Sequence, residues 1–140
     1  MTFAPLLHST LAVRLHAFPA MAAILLGAAQ LWLPKGTPLH RVMGWSWVVL
    51  MALIAGSSFF IHTICTLGPF SVIHLLSLLT LVSLPIGVSH ARNHRIGSHA
   101  RVMKLLFLGA LVIAGIFTLL PGRIMHDVVF GTLSTHGTCW

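Results

Sequence analysis

Four long apolar runs, at about residues 17–33, 42–61, 69–89 and 105–121, constrain this chain more than any other feature. A hydrocarbon core about 30 Å thick takes about 20 predominantly apolar residues per helix, so each run is long enough to span, some with a small tilt. The runs and their short connections use up the sequence. That pattern predicts an all-α integral membrane protein: residues 1–140 as a single membrane domain, folded as a four-helix up-down-up-down bundle. Only 6% of the residues are charged and mean hydropathy is +0.99, too little charge to cover a water-exposed surface. The first run follows no recognisable signal-peptide pattern and counts as a span, because Arg14 comes late and Pro19 interrupts the start of the run.

Pro34, Gly36 and Pro38 punctuate the first connection, Gly68 and Pro69 the second, and Asn93 and Gly97 the third. Eight Lys and Arg stand against one acid, Asp127. In a soluble chain such a balance would suggest nucleic acid; here the basic residues flank apolar runs, where they meet lipid phosphates and set orientation. Lys35, Arg41, Arg92, Arg95, Arg101 and Lys104 lie at the end of the first and third connections, and only Arg14 and Arg123 at the other. By the positive-inside rule the first expectation is a multi-pass protein with both termini outside. Trp32, Trp45 and Trp47 fall near the basic end and read as interfacial anchors.

The chain has no Glu, which argues against paired-carboxylate hydrolysis and carboxylate proton relays. Ser57 and Ser58 have no organised base and acid beside them, so no catalytic residue is expected and a redox carrier is favoured over an enzyme. The chemistry-bearing feature is ten histidines concentrated at the ends of the spans. Imidazole is a haem and metal ligand and a proton carrier near neutral pH.

Helical phase groups these residues. His16, Ala20, Ala23, Gly27 and Gln30 fall in a narrow arc of the first span, a small-residue face with one imidazole. His40, Gly44, Trp47, Met51, Ala55, Ser58 and His62 share a face of the second, with imidazoles about 33 Å apart by helical rise. In the third, Ser71, His74 and Ser77 lie together, while His74 and His90 point to nearly opposite faces unless Pro85 kinks the helix. His90 and His94, four apart, would pinch one metal ion if the helix runs through both, with His99 near enough to join. Ala23/Gly27, Ala52/Gly56 and Ala110/Ala114 would let helices approach closely. Cys65 and Cys139 fall on the same side, where a disulfide is one option.

His40-Arg41-x-x-Gly44-Trp45, Phe70-x-x-x-His74, His99-x-Arg101-x-Met103 and Pro121-x-Arg123, together with His16, give the chain a further character. Through these elements it resembles a bacterial family of predicted membrane proteins, domain of unknown function 2306, over most of residues 11–126. The resemblance implies a four-helix module of unassigned activity in the bacterial inner membrane, and directs attention to His16, His40, His74 and His99. The fourth element reads His-Ala-Arg, where His followed directly by a basic residue is the family expectation.

Two readings stand side by side. In one, haem b or a transition metal sits between histidines of different helices, with His16, His62 and His74 as the outer set and His40 and His99 as further candidates; Arg14 and Arg123 outside, or Arg41 and Arg101 inside, receive its carboxylates, His90 and His94 form a metal pair, and the module serves electron transfer with a membrane redox partner or a second copy of the chain. In the other, the chain is a non-enzymatic membrane subunit or small-molecule permease whose histidines are structural.

Overall fold

The computed structural model describes residues 4–61, 72–120 and 124–130, and among these there is no strand. A short α1 (Ala4–Leu7) precedes α2 (Leu11–Trp32), α3 (Pro38–Ser58) and α4 (Val72–Arg92). The fourth span is composite: α5 (Ile96–Leu105), a π-helical segment (Leu106–Ile113) and α6 (Ala114–Phe117) run without a break, and α7 (Ile124–Phe130) follows. Among the described residues four helices are long and apolar enough to cross a membrane: Leu11–Trp32, Pro38–Ser58, His74–Arg92 and Ile96–Phe117.

Three of these start earlier than the apolar runs do, at residue 11 against 17, 38 against 42 and 96 against 105, the first and last by the most. The added turns carry Arg14 and His16, or His99, Arg101 and Lys104. Hydropathy stops where polar side chains begin, whereas backbone hydrogen bonding continues into the headgroup region. The third connection therefore shrinks to Asn93–Arg95. It closes α4 in a Schellman motif, with Arg95 N–H donating to His90 C=O (2.9 Å) and His94 N–H to Ala91 C=O (3.3 Å). The motif needs a left-handed residue, and His94 supplies it at φ 55°.

At the first connection Thr37 caps α3, its hydroxyl accepting from His40 N–H at 3.1 Å, with Pro38 in the first helical position. Gly36 turns the chain at φ 82°, where a side chain would be strained.

Helices α2 and α3 are antiparallel. His16 pairs with Ile54, Ala23 with Trp47 and Gln30 with His40, one number falling as the other rises. The core between α2, α3, α4 and the fourth span is built on Ala23, Trp47, Met51, Ile54, Leu84, Leu106, Phe107 and Leu111. Much of the remaining apolar surface, Leu25, Val49, Leu53, Leu75 and Leu79 among it, is exposed, as expected where lipid is the outer solvent.

Two glycines lie directly against side chains of a neighbouring helix. A Cβ on Gly27 would lie 2.5 Å from the Phe107 ring and 2.8 Å from Trp47 Nε1. One on Gly87 would overlap the Met103 thioether methyl. Gly56 does not act this way: a Cβ there would meet open space. Trp47 departs from the interfacial role expected of it. It is 5% exposed and donates its indole N–H to Ala23 C=O at 3.0 Å, because Gly27 leaves room for the ring inside the bundle. Trp32 and Trp45 are exposed, in keeping with anchors.

Candidate functional site

The basic end of the bundle holds a half-open cavity of about 790 Å³, between the C-terminal part of α2, the start of α3, the end of α4 and α5. Its floor is apolar: Gly27, Trp47, Val48, Met103 and Phe107. Its cationic lining is Lys35, Arg41, Arg92 and Lys104, and no described lining residue is acidic. His40, His94 and His99 line it as well, with the amide of Gln30.

Each imidazole is placed by a different device. His40 follows the capped first turn of α3, and its carbonyl accepts from Gln30 Nε2 at 3.1 Å, which ties α3 to α2. Its Nδ1 is buried and has no hydrogen-bond partner among the described residues, an arrangement that in a folded protein calls for an explanation. His99 lies on α5, and its Nδ1 is 2.9 Å from Gly87 C=O of α4. A carbonyl can only accept, so Nδ1 carries the proton and Nε2 keeps the lone pair of the neutral ring. Gly87 also lies against the side chains of Met103 and Val102 in the fourth span. His94 is presented by its left-handed turn at the rim.

A smaller cavity of about 550 Å³ adjoins the first and shares Trp45, Val48, Val88 and Arg92 with it. It lies along α3 and α4 past Pro85, and α4 remains helical through that proline.

The other sequence-selected residues distribute as follows. Arg41 lines the large cavity, while Arg101 is exposed and does not, so the two do not share a role there. His90 and His94 are not successive turns of one helix, because α4 ends at Arg92 and His94 lies beyond it; the condition for a His90/His94 metal pair is not met. Among the described residues no three His, Cys, Asp or Glu side chains group as a metal site would require.

At the opposite end His16 Nδ1 donates to Ile54 C=O at 2.9 Å and lies 3.3 Å from Ser57 Oγ, a link between α2 and α3. His74 is buried beside Phe59, ring centroids 5.6 Å apart, and Ser58 bonds Ser77 at 2.6 Å nearby. His62, Cys65, Arg123 and Cys139 lie outside the described residues.

Sequence reasoning passed over Lys35, Arg92 and Lys104 as site residues, and Gly87 altogether. Gln30 was on the marked arc of α2, but an arc does not say which helix faces it.

No curated protein and no solved structure matches the chain. A family model described as predicted membrane protein (DUF2306) matches residues 13–140. With four candidate spans and a match over nearly its whole length, the chain belongs to the predicted membrane protein family DUF2306.

Proposed function

We propose that this protein holds haem b or another histidine-ligated metal between His40 of α3 and His99 of α5, and carries electrons in the membrane. The observation behind this reading is that His40 and His99 both line one cavity, with the His99 Nδ1 proton held by Gly87 C=O. A histidine that donates one ring N–H to a backbone carbonyl is oriented, and made more basic, for ligation through the other nitrogen. When bound, such a metal supplies a one-electron couple. The chain's own residues orient the ligands, keep lipid and water from the floor with Trp47 and Phe107, and set a positive field through Lys35, Arg41, Arg92 and Lys104. In this reading the partners are the bilayer and a membrane redox protein or a second copy of the chain. The site lies at the cytoplasmic side of the inner membrane and both termini outside, as the cation asymmetry argues.

A second reading, a non-enzymatic subunit or permease with structural histidines, is favoured by His16, whose ring joins α2 to α3 through Ile54 C=O.

The first test is purification in mild detergent from cells given haem precursor, with oxidised and dithionite-reduced visible spectra and elemental analysis of the same sample. The proposal expects a sharp reduced alpha band, or stoichiometric metal, that disappears in His40→Ala and His99→Ala and persists in His90→Ala. A featureless, metal-free sample overturns it in favour of the second reading.

A further inference from the structure

The same cavity has features that choose between a bare metal ion and a larger cofactor, and the inference drawn from them rests on the histidine-ligated reading above. A bare zinc-like ion takes at least three protein ligands in tetrahedral geometry. Among the described residues no group of three metal-binding side chains exists. A tetrapyrrole brings four nitrogens of its own and asks the protein only for axial ligands. Two imidazoles from different helices lining one cavity supply that number.

Size and polarity agree. About 790 Å³ is the scale of a cofactor pocket, far larger than an ion needs. The floor is aromatic and aliphatic, suited to the body of a macrocycle. Four cations with no acid among the described lining suit an occupant with several negative charges at one edge. One of those cations, Arg92, also stands in the wall shared with the adjoining smaller cavity.

We infer that the occupant is an iron tetrapyrrole bearing carboxylates. His40 and His99 would hold its iron, Trp47 and Phe107 would pack its apolar body, and Arg41, Arg92, Lys35 and Lys104 would pair with its carboxylates.

The purified full-length protein, in nanodiscs of zwitterionic lipid so that anionic headgroups do not compete for the cations, is titrated with three probes: iron protoporphyrin IX, its dimethyl ester, and zinc ion alone. The expected result is one iron protoporphyrin per chain, with the ester bound about tenfold or more weaker, since charge-assisted hydrogen bonds to its carboxylates are gone. The Arg41→Gln/Arg92→Gln variant should bind the acid form as weakly as the ester, with its affinity for the ester unchanged. Retained ester binding then shows that this variant is folded. Equal binding of acid and ester by the native chain overturns the carboxylate assignment and leaves a histidine-ligated centre standing. Stoichiometric zinc lost in His99→Ala, without porphyrin binding, overturns the tetrapyrrole and, because zinc has no one-electron couple, the electron-carrying reading as well. Binding of none of the probes to helical protein overturns the inference and the proposed function together.

Discussion

His94 and His99 show how single residues in this protein are set by backbone rather than by side-chain partners. His99 is oriented by the Gly87 carbonyl of α4, and His94 occupies a left-handed position usually given to glycine. Left-handed backbone costs a Cβ-bearing residue about 1–2 kcal/mol. His94→Gly should therefore raise stability by about 1 kcal/mol, read as a higher melting temperature in detergent. Strain kept at a cavity rim is itself a pointer to function. At the floor the opposite change is expected: Gly27→Ala drives a methyl into the Phe107 ring and Trp47, and overpacking of this kind costs about 1–3 kcal/mol. A melting temperature equal to the native protein's would show that α2 can move away freely.

Among the elements, the fourth span departs furthest from regular geometry. Leu106 and Leu111 are both buried although five residues apart, which on an α-helix would set them about 140° apart. The π segment, with its i→i+5 bonds, brings them to one side and turns Phe107 toward Gly27. Such segments are frequent at functional sites, and this one forms part of the cavity floor. The start of α3 is the other element the site depends on. Its cap hydroxyl holds the turn that carries His40, so Thr37→Ala should cost about 0.5–2 kcal/mol of stability. It should also weaken whatever His40 binds, while Thr37→Ser should leave both near native values. Loss of stability with ligand binding intact would separate the cap from the site.

For the whole molecule, charge and hydropathy act on different scales. Six cations at one end of the spans fix orientation through the membrane potential and anionic headgroups, while apolar length fixes only the number of crossings. With Cys65 and Cys139 replaced by Ser, a cysteine at Asn93 should resist a membrane-impermeant maleimide in intact cells and react in inside-out vesicles. Labelling in intact cells would reverse the orientation and place the large cavity on the outer side.

Hydrophobic periodicity alone determined that this is an all-helical membrane protein, and helical phase picked out the faces that pack: Ala23 and Gly27 on α2, and Trp47, Met51, Ala55 and Ser58 on α3 are buried as their spacing requires. Those properties are local, since each needs only one helix and the thickness of the bilayer. What tertiary structure decided is which end of the histidine set comes together. His40 and His99 are 59 residues apart and line one cavity, with α5 joined to α4 through the His99–Gly87 contact and α2 to α3 through Gln30. His90 and His94, only four apart, are separated by a helix end. Sequence spacing reports neighbours along one helix, whereas ligands from different helices are brought together by bare backbone, by register between helices and by where each helix stops.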